Sequence, residues 1–189
     1  MQRKLNSRYI TAAALLVAIG IVIPMYSPIK FVAPPASFTL ASHMAIFIAM
    51  AISPGIAVAV TLGTTLGFQL AGFPIEVVLR AASHLIFATL GALYLKDHPE
   101  VLPSPLKSRV FSFIVALVHG ASEALVILWL FAGGKISLQN VSNGVAQYIL
   151  VVIGLGSVIH SMVDFELSLI VMKALWKQKG LKTLFNVQT

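Results

Sequence analysis

Polar and ionisable side chains are scarce within the long apolar stretches of this chain, so the few that occur mark where chemistry could take place. In an apolar environment such groups are costly, and they usually face a bundle interior, a cavity or a partner. The groups in question are His43, Gln69, Glu76, Arg80, His84, His119, Glu123, Gln147, His160, Asp164 and Glu166.

Arg80 is the most informative of these residues. Glu76 stands four positions earlier, which places it on the same face of a helix. One interpretation is a structural ion pair of Arg80 with Glu76 or Glu123. The other, which we favour, is a planar cation that binds the carboxylate or phosphate of a ligand through two parallel hydrogen bonds.

Depth along the predicted helices, at about 1.5 Å per residue, brings several of these groups to one outward-facing region. We therefore predict a substrate site there, formed by Arg80, His84, Glu123, Gln69, Gln147, Asn143 and His43. His43 and His119 could equally be core residues. Asp164 and Glu166 are expected near the inner interface, where a structural or partner-facing role fits them better.

The sequence contains no motif typical of an enzyme. Cysteine is absent, and so are the Walker A, His-Glu-x-x-His and Gly-x-Ser-x-Gly patterns. His119 and Glu123 share a helix face, but a metal needs more ligands than the sequence alone can place beside them. We expect no catalytic residues, no metal and no cofactor, and ATP hydrolysis would have to come from another protein.

The elements that position these groups are apolar helices. The chain has 189 residues, of which 58% are hydrophobic and 10% charged, and the mean hydropathy is +0.94. A soluble domain carries about 25% charged residues, so this composition predicts an all-α polytopic membrane protein. We predict one integral domain, 1–189, with six transmembrane helices that are separated by proline and glycine. Their predicted ranges are 9–25, 39–52, 56–71, 75–95, 109–132 and 144–176.

The net charge of +7 is distributed unevenly between the loops. If the N-terminus is cytoplasmic, ten lysines and arginines lie on that side, and only Lys30 and Lys135 lie outside. Both termini are therefore predicted to be cytoplasmic. The basic residues form no stripe interleaved with aromatic residues, which argues against nucleic-acid binding.

Small residues and prolines mark two further features. Ala14 and Ala18 lie four positions apart on the first helix, where they could face a partner, whereas the stripe Ala59, Gly63, Gly67 and Ala71 favours packing within the chain. The segment 27–38 contains three prolines. We interpret it as a semi-rigid cover over the outer site, with neither helix nor strand.

These features resemble the substrate-binding S components of energy-coupling factor (ECF) vitamin transporters. The resemblance extends over about residues 7–177 and depends on six spans, on Ala14-Leu-Leu-Val-Ala18 and on the proline-rich loop 27–38. It also depends on the segments FTLASHMAIFIAM at 38–50 and GFPIEVVLRAASH at 72–84. Ala14 and Ala18 match the motif with which the family docks on its transmembrane coupling subunit.

The resemblance implies a non-catalytic subunit in a bacterial cell membrane, with a coupling subunit and two cytoplasmic ATPases as partners. Pantothenate-specific and niacin-specific members are the most similar, and both ligands carry a carboxylate that would suit Arg80. Pantothenate is narrowly favoured because its hydroxyls and amide would use more of the predicted polar residues. The alternatives are niacin, a stand-alone secondary transporter, and a non-transport membrane protein such as an assembly factor or an enzyme subunit.

Overall fold

Each long apolar run between the proline and glycine breaks forms a helix, as a chain in lipid must do to satisfy its backbone hydrogen bonds. The computed structural model describes residues 7–137 and 144–185. The main helices of this part of the chain are α1 (Ser7–Tyr26), α2 (Met44–Ile52), α3 (Pro54–Leu70), α4 (Ile75–Asp97), α5 (Pro105–Ala132) and α6 (Val145–Trp176). A short helix, α7 (Lys179–Lys182), follows.

The predicted fold class, an all-α polytopic bundle, is confirmed. By length and hydropathy α1, α4, α5 and α6 could each cross a membrane, and α3 is a shorter apolar helix. The helix bounds agree with the prediction to within a few residues except at α2. The division into one domain and the cytoplasmic position of both termini remain predictions.

The second predicted helix, 39–52, was too long. Residues 36–39 form a strand, and α2 itself has nine residues, which makes it about 14 Å long. That is roughly half of the hydrocarbon thickness of about 30 Å. Because α2 is so short, non-helical chain can occupy the rest of the membrane thickness at this place in the bundle. Such chain is tolerated in a membrane only where protein buries it or where it lines a cavity.

The segment 27–38 was predicted without strands, and that prediction was wrong. A β-hairpin forms from β1 (Lys30–Ala33) and β2 (Ala36–Thr39), which pair in antiparallel register with Phe31 opposite Phe38. Pro34 and Pro35 lie in the turn, where no ladder hydrogen bond is needed from a proline nitrogen. Pro34 and Pro35, which argued against a strand, therefore end β1 and begin the turn before β2.

Helix α2 lies at the centre of the bundle. Every residue from Ala45 to Ile52 is buried, and α2 packs against α1, α3, α4 and α6. Around it α1 packs on α3, α3 on α4, α4 on α5, and α5 on α6. The outward faces of these helices carry exposed leucines and isoleucines, as expected where lipid is the solvent.

Helix α1 is the most exposed of the possible spans. Only 11% of its most apolar window is buried within the chain, against 50% for α4. Its inward contact is with α3, where added side-chain atoms at Gly63 and Gly67 would collide with Val17 and Ile21. Part of the small-residue stripe on α3 thus packs against α1, whereas Ala14 and Ala18 are exposed.

Candidate functional site

A cavity of about 270 Å³ opens between the hairpin and helices α2, α3 and α4, and its inner end reaches α5 and α6. Its walls are mainly apolar and include Ile46, Phe68 and Phe73. Its polar lining comprises Lys30, Ser37, Thr39, Ser42, His43, Thr64, Glu76, Arg80, His84, Glu123 and His160. A chamber with largely apolar walls on which polar groups converge is typical of a small-molecule site.

The hairpin covers this cavity, because most of its residues contribute to the lining. Phe38 of β2 anchors it to the bundle by contacting the His160 ring of α6 edge-on, at 5.5 Å between ring centroids. The same phenylalanine stacks on Phe31 across the hairpin, at 6.4 Å. The position of the segment is that of a cover, as the sequence suggested; its opening and closing remain a proposal.

Arg80 connects the cover to the helices. Its Nη2 lies 2.9 Å from Glu123 Oε2 on α5, and both side chains are buried. Its guanidinium also donates to the carbonyl oxygens of Pro35 and Ser37, at 3.4 and 3.5 Å, and lies 5.7 Å from the Phe38 ring centroid.

The structural partner of Arg80 is therefore Glu123. Glu76 lines the cavity but forms no ion pair among residues 7–137 and 144–185. Arg80 Nε is buried and has no hydrogen-bond partner in that part of the chain. A buried donor without a partner is costly, and a bound anion is one group that could supply the missing acceptor.

Glu123 divides its two oxygens between two sets of partners. Oε2 accepts hydrogen bonds from Arg80 and from the Ser157 hydroxyl of α6. Oε1 lies 3.1 Å from His84 Nε2 and 3.3 Å from His119 Nε2, and the two imidazole nitrogens are 3.2 Å apart. These three atoms form a nearly equilateral triangle at the floor of the cavity, and His119 is fully buried.

Asp164 organises the other side of the floor. Its carboxylate accepts hydrogen bonds from the backbone N–H of Ala41 at 2.6 Å and of His43 at 2.9 Å, and from Ser42 Oγ at 3.3 Å. His43 Nδ1 lies 2.9 Å from the same carboxylate.

Asp164 thus holds the turn that leads into α2, because the N–H groups that donate to it belong to Ala41 and His43, just before the helix begins at Met44, and His43 provides no side-chain cap. The negative charge is also favourable at the positive end of a helix. The structural role expected for Asp164 fits these contacts, but the sequence did not indicate that Asp164 contacts His43 of the site. The depth argument assumed a full-length second helix, whereas residues 40–43 descend from the hairpin to meet α6.

Of the predicted substrate residues, the structure brings four together. Arg80, His84, Glu123 and His43 all line the cavity. Gln69 and Gln147 are exposed and do not belong to the lining, because their neighbours Phe68 and Tyr148 take the more buried helix positions. Asn143 lies outside the described residues.

His119, His160 and Asp164 contribute more than the sequence indicated. Each was recognised as an ionisable group in an apolar stretch, but nothing local connected α5 and α6 to the start of α2. The spacing of four residues in both His119–Glu123 and His160–Asp164 was the available signal. One pair lies on α5 and the other on α6, and the packing of these two helices brings the pairs close together.

Among proteins of known function, this chain is similar to the niacin transporter NiaX of Lactococcus lactis. The two sequences are 40% identical over 168 residues, which represent 88% of this chain and 74% of the lactococcal protein. No family model matches the chain. No solved structure matches it either.

Proposed function

The chain belongs to the family of the niacin transporter NiaX, and from this premise we propose that it is the membrane-embedded substrate-binding component of a niacin importer. The observation that carries the proposal is the 40% identity over most of both chains. It favours niacin, the alternative considered from the sequence, over pantothenate.

The size of the cavity supports the same choice. Its volume of about 270 Å³ lies just below the range of about 300–1,000 Å³ that is usual for sites of drug-sized ligands. Niacin is one aromatic ring with one carboxylate, whereas pantothenate is a longer and flexible chain. Two of the amides that were expected to serve pantothenate, Gln69 and Gln147, are exposed.

The chemistry of the lining suits a pyridine carboxylate. In the proposed complex the carboxylate binds the Arg80 guanidinium, whose Nε is unpartnered among the described residues. The ring packs against Phe68, Phe73 or Ile46 of the apolar wall, and a hydroxyl of Thr39 or Ser42 donates to the ring nitrogen.

The partners of the proposed importer follow from the resemblance to ECF S components. In this proposal Ala14 and Ala18 on the exposed side of α1 dock on a transmembrane coupling subunit, and two cytoplasmic ATPases drive uptake. The protein operates in the cell membrane. It has no catalytic role of its own.

Equilibrium binding to the purified protein in detergent tests the ligand. We expect saturable calorimetric binding of nicotinate and none of pantothenate, and nicotinamide, which lacks the charge, should bind at least about tenfold more weakly. Binding of pantothenate in preference to nicotinate would contradict the assignment. If none of the three compounds binds, the non-transport alternative is favoured.

Uptake into proteoliposomes tests the mode of transport. We expect nicotinate uptake only when the coupling subunit and both ATPases are reconstituted with the chain and ATP is supplied. Uptake by the chain alone, driven by an ion gradient, would instead identify a secondary transporter.

A further inference from the structure

The floor of the cavity has the geometry of a metal site. The triangle of His84 Nε2, His119 Nε2 and Glu123 Oε1 has sides of 3.1, 3.2 and 3.3 Å. Two ligands of a tetrahedral zinc ion, with bonds of about 2.0–2.1 Å, lie about 3.3–3.4 Å apart. The three side chains could therefore bind one ion with shifts of a few tenths of an ångström.

His43 lies close enough to these three residues to be a fourth ligand. Its ring centroid lies 4.7 Å from that of His84 and 4.6 Å from that of His119. The ligand atoms of His43, His84, His119 and Glu123 all lie within 4.8 Å of one another. Because Nδ1 of His43 is engaged by Asp164, its Nε2 is the nitrogen left to bind a metal.

Two of these four residues, His43 and Glu123, have the outer partners that are usual for metal ligands, whereas the buried Nδ1 of His119 has no hydrogen-bond partner in the described part of the chain. A carboxylate that binds the far nitrogen of a ligand histidine fixes its tautomer and orientation, and Asp164 does this for His43. The second oxygen of Glu123 is held by Arg80 and Ser157, which fixes the direction of the first. We propose that His43, His84, His119 and Glu123 hold a divalent transition-metal ion of the zinc class at the floor of the cavity.

The second group of possible ligands, His43, His160 and Asp164, is a poorer site. The Asp164 oxygens already accept hydrogen bonds from two backbone N–H groups and from Ser42. A metal there would have to displace the contacts that hold the start of α2. The first group needs no such displacement, and three of its members line the cavity through which an ion could enter.

A metal would also change what the cavity can bind. The cations of the lining, Lys30 and Arg80, are equal in number to its carboxylates, Glu76 and Glu123. Asp164 adds a further negative charge beside His43. A carboxylate ligand therefore has no surplus positive charge to meet, and a divalent ion would provide it. This step, unlike the metal site itself, rests on the proposed niacin function.

Metal binding is tested on the full-length protein in detergent, with any polyhistidine tag removed. After chelator treatment and desalting, the protein is titrated with Zn²⁺, with Co²⁺ as the spectroscopic probe and Mg²⁺ as the oxygen-preferring control. We expect one Zn²⁺ per chain, an intense visible spectrum typical of tetrahedral Co²⁺, and no competition by Mg²⁺. Absence of stoichiometric Zn²⁺ binding to the wild type would overturn the proposal.

Matched variants assign the site. His119→Gln and His84→Gln each remove one ligand, and each should weaken Zn²⁺ binding by more than about 100-fold, the upper end of the effect of losing an outer partner. His98→Gln, at the far end of α4 where the ring contacts Tyr94, should leave the affinity unchanged. If a folded His119→Gln or His84→Gln variant binds Zn²⁺ as tightly as His98→Gln does, the assignment is contradicted. If both ligand variants misfold, the Co²⁺ spectrum of the wild type decides whether the site exists.

Nicotinate titrations with and without Zn²⁺ separate this inference from the proposed function. We expect the metal to raise nicotinate affinity at least about tenfold. Zn²⁺ binding with no nicotinate binding would overturn the niacin assignment and leave the metal site intact. Nicotinate binding without any Zn²⁺ binding would overturn the metal site and leave the niacin assignment intact.

Discussion

At the scale of single residues, the guanidinium of Arg80 forms one of the two ion pairs that the sequence left open, while its binding of a ligand carboxylate remains a proposal. It pairs with Glu123 and holds two hairpin carbonyls, and it also lines the cavity with one donor unengaged. The sequence could place Arg80 in an apolar helix but could not choose its partner among Glu76, Glu123 and a ligand. That choice depends on how α4 packs against α5.

We expect Arg80→Lys to weaken nicotinate binding about 10- to 150-fold. Lysine keeps the charge opposite Glu123 but loses the planar fork, and a charge-assisted hydrogen bond contributes about 1.5–3 kcal/mol. Calorimetry on the purified variant, with its thermal unfolding recorded in parallel, checks this. An unchanged nicotinate affinity accompanied by a lower melting temperature would mean that Arg80 serves the fold alone.

Asp164→Asn should lower the free energy of unfolding by about 3–5 kcal/mol, the usual cost of removing one partner from a buried charged set. The amide cannot accept all the hydrogen bonds that residues 41–43 donate. Glu166→Gln, two positions later and exposed opposite Arg109 at 3.9 Å, is the control and should cost less than about 1 kcal/mol. Similar thermal unfolding of the two variants would show that Asp164 does not hold the start of α2.

At the scale of elements, the sequence predicted the helices well and the hairpin not at all. Long apolar runs that end at Ser53-Pro54-Gly55 or at Gly72-Phe73-Pro74 leave little choice of helix bounds. In the segment 27–39, β1 and β2 have four residues each, too few for an alternating pattern to stand out beside three prolines. Their pairing depends on contacts of Phe38 and Ser37 with helices that are distant in sequence.

The hairpin should become resistant to protease when ligand is bound. Its contacts with the bundle run through Arg80 and Phe38, and a ligand beneath it adds further contacts. Limited proteolysis with and without saturating nicotinate, followed by mass spectrometry of fragments cut in 27–39, measures this. Equal cleavage rates would exclude a cover that responds to ligand; cleavage in the loop 98–104 serves as the control.

Gly67→Leu should destabilise the packing of α1 on α3. Side-chain atoms at this position would overlap Ile21, and overpacking typically costs about 1–3 kcal/mol. Ala59→Leu, on an exposed position of the same helix, should be nearly neutral. The melting temperatures of the two variants in detergent test this. A lower melting temperature for Gly67→Leu alone would show that Gly67 packs against α1, and equal melting temperatures would show that it only faces lipid.

At the scale of the whole molecule, the proposed ligand site and the proposed docking surface lie on different parts of the protein. The cavity is lined by the hairpin and by α2–α6, and α1 contributes only Pro24, near its C-terminal end. The exposed side of α1, with Ala14 and Ala18, is therefore free of the cavity. Substitutions there can separate partner docking from ligand capture.

Ala14→Trp should abolish ATP-dependent uptake and leave nicotinate affinity within about twofold of the wild type. A bulky ring prevents the close helix approach that small residues permit in lipid. Leu125→Trp, on an exposed position of α5, is the control and should transport normally. Normal uptake by the Ala14→Trp variant would show that α1 is not the docking helix.

The cap on α2 has a consequence for biosynthesis. The backbone N–H of Ala41 donates its hydrogen bond to a carboxylate 123 positions later in the chain, on the last long helix. Until that helix is inserted, the nascent protein holds a nine-residue helix that is too short to span the bilayer, and the turn before that helix lacks this acceptor. We therefore expect the ligand chamber to be the last region to mature, so that ribosome-stalled chains ending before residue 156 are membrane-integrated but unable to bind nicotinate.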